Sequence, residues 1–187
     1  MEFTLVYRGP LKANGRPAEK QAIRRIFHGQ LKELWKQPPL TDHGPPGGHL
    51  LEDSPPQGDF SIIQRVGVFR LAPLVAEKLH LIAELQITLL RPEAPGGVLT
   101  QGGDIDNRLK TLLDSLRMPH NVGEIPGTPL PDEDPFFCLL EDDNLVTKIG
   151  VSTDRLLEPT ASQSDVQLFI HVTTKATRMI YGNMGLG

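Results

Sequence analysis

The sequence predicts an α+β fold, a mixed β-sheet packed against two main helices with long loop insertions, as one domain over residues 1–187. Three observations carry this expectation. Apolar residues recur at helical spacing in two segments, while five others alternate with period two or run apolar between turn signals. The 17 prolines and 18 glycines concentrate in 37–58, 92–103 and 119–135, which read as loops inside one domain. At 187 residues and 39% hydrophobic, the chain can bury a sizeable core.

The elements follow in order. Phe3, Leu5 and Tyr7 alternate with Thr4 and Val6 until Gly9-Pro10, which predicts a strand over 2–8. Pro17 suits a first helical position, and Ala22, Ile23, Ile26, Phe27, Leu31, Leu34 and Trp35 give a helical stripe that Pro38-Pro39 ends. Trp35 lies within that stripe and is expected in the core. Residues 37–58, with Pro-Pro, Gly-Pro-Pro-Gly-Gly and Ser-Pro-Pro, read as a surface loop with His43 and His49 exposed. Strands are expected over 60–71 and 79–91, joined at Ala72-Pro73. In the second, Leu81, Ala83, Leu85, Ile87 and Leu89 interleave with polar residues, the pattern of a half-buried strand.

The second helix lies within 102–116, where Leu109, Leu112, Leu113 and Leu116 fall at i, i+3, i+4 and i+7. A loop insertion over 118–135 follows, then an apolar lead, Phe136 to Leu140, into Glu141-Asp142-Asp143-Asn144. Strands over 145–151 and 165–173 complete the fold, and the glycine-rich tail 179–187 is expected to be mobile.

One cysteine, Cys138, excludes an internal disulfide and the Cys-rich zinc patterns, and fits a reducing, cytoplasmic compartment. The N-terminus lacks the basic start and apolar core of a signal peptide, and no apolar stretch reaches membrane-spanning length. Net charge is −4, but residues 1–36 carry +5 and the remainder −9, an asymmetry that suggests a basic face and a separate acidic site. On the first helix Lys20, Arg24, His28, Lys32 and Lys36 are spaced by four. This ridge suits either a solvated face or DNA phosphates tracked by Lys20, Arg24, Lys32 and Lys36, and spacing does not separate the two.

The acidic residues form two foci, Asp104 with Asp106 and Asp142 with Asp143. Carboxylates are the hard oxygen ligands that Mg²⁺ takes, and a bound Mg²⁺ lowers the pKa of its water and clamps phosphate oxygens. Lys110 follows Asp106 by one turn, within reach of its carboxylate or of a phosphate, and Asp114 follows Lys110 by another. Taken singly, Asp104 and Asp106 read more readily as helix caps than as metal ligands, and Asp142-Asp143-Asn144 more readily as a turn.

Together, Asp104-Ile105-Asp106-Asn107, Lys110 and Asp114-Ser115-Leu116, followed by Asp142-Asp143 and Val146 at the head of a strand, resemble the RusA-type Holliday junction endodeoxyribonucleases. The resemblance is clearest over 103–117 and 140–151. It implies a homodimeric, Mg²⁺-dependent nuclease, with Mn²⁺ as a substitute, that nicks branched DNA such as four-way junctions in recombination and repair, often from a prophage. Residue by residue, it implies that Asp104, Asp106 and Asp143 bind metal, that Lys110 is catalytic with them, and that Asn107, Asp114 and Asp142 support the site. The alternative is a diverged module that binds branched DNA without cutting it. The stretch between Asp114 and Asp142 is longer than is usual in that family, and residues 37–58 form a second insertion.

Overall fold

The computed structural model describes residues 1–43, 48–53, 61–92, 104–159, 162 and 164–187, with the backbone alone for Asp104. The fold is α+β, with two helices and two mixed sheets, of four strands and three. The strands are β1 (Glu2–Pro10), β2 (Gln64–Val66), β3 (Phe69–Val75), β4 (Leu81–Arg91), β5 (Phe136–Leu140), β6 (Val146–Arg155) and β7 (Asp165–Ala176), and the helices are α1 (Pro17–Leu34) and α2 (Asp104–Leu116). Among the described residues no helix is long and apolar enough to cross a membrane.

The larger sheet has the order β1-β7-β4-β6, antiparallel except for the parallel pair β4 and β6. Alternation in β4 works as expected: Leu81, Ala83, Leu85, Ile87 and Leu89 are buried, and Glu84, Gln86 and Thr88 lie on the other face. At one edge of this sheet the Gln30 side chain satisfies the backbone of β1 at Val6, its Oε1 accepting from Val6 N at 2.8 Å and its Nε2 donating to Val6 O at 2.6 Å. The other edge is β6.

The smaller sheet, β2-β3-β5, is the first departure from expectation, which had a single sheet. Phe136 to Leu140 is a full strand parallel to β3, and all five of its residues are buried. Residues 60–71 are instead a hairpin, with Gly67 at positive φ in the turn between β2 and β3, and Phe60 lies outside the described residues. Pro73 sits inside β3, beside Cys138, and not in a connection.

α1 starts as its sequence implies, with Pro17 in the first turn and the Glu19 carboxylate accepting from Arg16 N at 2.8 Å. Its buried face carries Ile23, Phe27, Leu31 and, just beyond the helix, Trp35, which stacks on Phe137 with ring centroids 5.6 Å apart. His28 shares that face. Its Nδ1 accepts from Phe137 N at 2.9 Å, its ring stacks on Phe136, and burial pushes its pKa down, which favours the neutral imidazole.

Two segments read as loops are bound to the core. In 37–58, Leu40 and Leu50 are fully buried, each in a short 3-10 turn, so the description as a surface loop is corrected there; 44–47 and 54–58 lie outside the described residues. His43 and His49 are half-buried and not solvent-exposed: their rings meet edge-on at 5.7 Å, and His49 stacks on Tyr181 at 5.8 Å. In 118–135, Met118 and Ile125 join Val66, Phe69, Leu71, Phe136 and Cys138 in a second apolar cluster. Glu133 is buried there, accepting from Arg25 Nε at 2.7 Å.

The tail, expected to be mobile, is packed against the core at Asn183 and Leu186. Asn183 donates from its buried amide to Leu79 O at 2.8 Å and to Arg178 O at 2.7 Å, and Leu186 is fully buried. The N-terminal amine reaches Leu186 O at 3.4 Å, which ties the two ends of the chain together.

Candidate active site

α2 is built to hold an apolar back and a polar edge. Leu112 and Leu116 are buried in the main core, and Ile105, Leu109 and Leu113 pack against it half-buried. Thr111 and Ser115 are buried between them, with Ser115 Oγ donating to Thr111 O at 2.7 Å. Thr111 Oγ1 accepts from Gly15 N at 2.9 Å, which fixes the helix against the approach to α1. A Cβ at Gly15 would meet the Thr111 methyl at 2.6 Å, so this close approach requires glycine.

The edge that remains carries Asp106 and Lys110, one turn apart and both exposed. Neither makes a hydrogen bond or ion pair among the described residues. The backbone of Asp104 begins α2, its side chain lies outside the described residues, and so does the Gly102-Gly103 approach. Asn107, next in line, is half-buried and partnered.

Asp114 departs from the role expected of it. It does not hold Lys110 but accepts from Lys20 Nζ at 2.6 Å and pairs with Arg117 at 3.3 Å. Arg117 in turn pairs with Glu124 at 2.9 Å, so Asp114 anchors a half-buried ionic chain that joins α1, α2 and the following loop.

At the other acidic focus, Asp142 caps a 3-10 turn over Asp143–Leu145, its Oδ1 accepting from Asn144 N at 2.9 Å. This is the turn reading of the sequence. Its Oδ2 lies 2.9 Å from His120 Nε2. The Asn144 amide holds the Asp142 carboxyl below its ordinary value, and the Asp143 side chain, His120 and Arg117 add to the effect, so Asp142 is ionised at neutral pH. Asp143 is exposed beside it. Leu140 O accepts from Met118 N at 2.8 Å, which brings the exit of α2 alongside the chain leading to Asp142.

His120 and Arg117 were not singled out in the sequence. They stand at the helix exit with no spacing that links them to Asp142, and the backbone pairing at Leu140 is what brings them there.

The basic ridge is corrected most strongly at Arg24. Only 2% exposed, its guanidinium donates to Asp114 O at 2.7 Å, Gln21 Oε1 at 2.7 Å and Arg117 O at 3.2 Å, so it cannot track phosphates. Lys20 is committed to Asp114, and Lys32 donates to Asp132 O at 2.8 Å. Lys36, paired with Glu33 at 2.6 Å, is more than half exposed and is the freest of the four to meet a ligand.

Among the described residues, no group of three or more His, Cys, Asp or Glu could hold a metal ion. The trio Asp104, Asp106 and Asp143 therefore rests on a side chain outside that set. No family model matches the chain, and no curated protein matches it.

Proposed function

We propose that this chain is a RusA-like, Mg²⁺-dependent endonuclease that nicks branched DNA and acts as a homodimer. One observation carries the reading: α2 consumes nearly every polar group along its length in internal contacts, yet leaves Asp106 and Lys110 exposed and without partners among the described residues, one turn apart. Exposed carboxylates at Asp106 and Asp143 fit a hard divalent cation in donor type. Asp104, Asp106 and Asp143 would hold it, and when bound it would supply an activated water and charge stabilisation on the scissile phosphate. Lys110 places a cation beside the same edge, where it binds and orients a phosphate oxygen. Asp142, Asn107 and Asp114 act indirectly: Asp142 shapes the turn that presents Asp143, and Asp114 holds α2 to α1 through Lys20.

A second reading is a module that binds branched DNA without cutting it. A labelled four-way junction with Mg²⁺ separates the two. Nicking by the wild type that falls by about a hundredfold or more in Asp106→Asn and in Lys110→Ala supports the nuclease. No nicking by the wild type, or equal nicking by Asp106→Asn, removes the catalytic claim. Salt-dependent junction binding without cleavage then establishes the binding module.

A further inference from the structure

The two edges of the larger sheet are treated differently. On β1 the Gln30 side chain takes both backbone groups of Val6, whereas among the described residues β6 pairs with β4 alone and lies exposed along most of its length. Ile149 and Val151, which in register sit beside the buried Leu85 and Ile87, are 44% and 36% exposed. Apolar strand residues that continue the core side of a sheet and yet face water mark a place where the sheet is meant to be extended.

The order of residues along β6 says what extends it. Lys148, Gly150, Ser152 and Asp154 share one face, and Ile149, Val151 and Thr153 share the other. If a second β6 lies antiparallel with the two-fold axis at Val151, Lys148 falls opposite the Asp154 of the other copy, and Asp154 opposite its Lys148. On the reverse face Val151 meets Val151 and Ile149 meets Thr153. Directly opposed residues of an antiparallel pair point to the same face, so both charge pairs form across the seam and both apolar contacts form beneath it. Neither Lys148 nor Asp154 has an ion pair among the described residues. The symmetry is that of an isologous contact, in which one patch complements itself.

The geometry points to β6 as the homodimer contact of this chain, with two copies joined edge to edge through an antiparallel β6 pair centred on Val151 and locked by reciprocal Lys148–Asp154 pairs. This rests on the homodimer of the proposed nuclease but does not depend on catalysis: a dimer that does not nick removes only the nuclease, and a monomer that nicks removes the contact and the homodimer but leaves the nuclease.

Sedimentation velocity over a concentration series tests it with the full chain. The wild type is expected to dimerise. Lys148→Asp and Asp154→Lys each turn two attractive pairs into two repulsive ones, and each should weaken the dimer by about tenfold or more. Mixing these two variants should restore a one-to-one dimer, because one carries acids at both positions and the other carries lysines. That rescue also shows that both variants are folded. A wild type that stays monomeric, single variants that dimerise as well as the wild type, or a mixture that stays monomeric would overturn the assignment.

Discussion

Arg24 separates a structural from a DNA-binding account of α1. Its guanidinium is buried, where burial lowers its pKa, and it donates to Asp114 O and Arg117 O at the exit of α2 and to Gln21 Oε1. Arg24→Met keeps the apolar stem and removes all three donors. Two carbonyls at a helix end then lose a charged partner, each such bond contributing about 1.5–3 kcal/mol, and relief from burying the guanidinium offsets part of the loss. The net destabilisation should be about 2–4 kcal/mol, or roughly 5–15 °C in Tm for a domain of this size. Urea denaturation followed by circular dichroism measures it, with Lys36→Ala as a surface control expected within about 0.5 kcal/mol. An Arg24→Met protein as stable as the wild type, but with weaker and less salt-dependent junction binding, would refute the structural role and return Arg24 to the phosphate ridge.

Two further outcomes test the fold. Leu186→Ala should cost about 2–4 kcal/mol in the same denaturation experiment, since the side chain is fully buried; a mobile tail would show no change. Burial, with the Asp165 charge adding, raises the Tyr7 hydroxyl from 10.0 to about 12. Because the folded pKa is the higher, this contribution to stability is complete below pH 10 and is lost as pH rises towards 12. Tyr7→Phe should flatten the decline of Tm over that range, and parallel curves for the two proteins would refute it.

What could be read from the sequence depended on whether a segment has two different faces. β4 and β7 alternate because one side of their sheet packs against the core, and both helices carry a one-sided stripe, so all four were legible. β5 was not, because Phe136 to Leu140 is buried on both faces and has no alternation to detect. The tail and Leu40 dock through isolated side chains that leave no periodic trace. At the candidate site, the i,i+4 step from Asp106 to Lys110 was visible along one helix. The pairing of Asp142 with His120 was not, because a long-range backbone contact creates it. Arg24 misled for a related reason: a charge at ridge spacing looks the same whether it faces water or caps a neighbouring helix.

Gln30 has a consequence beyond the strand it touches. A sheet with two open borders can add copies without limit, as fibrils do, whereas on one border of this sheet Gln30 already takes both backbone groups of Val6. A two-fold pairing through β6 would leave a β1 border facing outward at each end, with Val6 on each already bonded to Gln30. If two copies pair through β6, replacing Gln30 by a residue that cannot satisfy the Val6 amide should make the outer β1 border easier to extend.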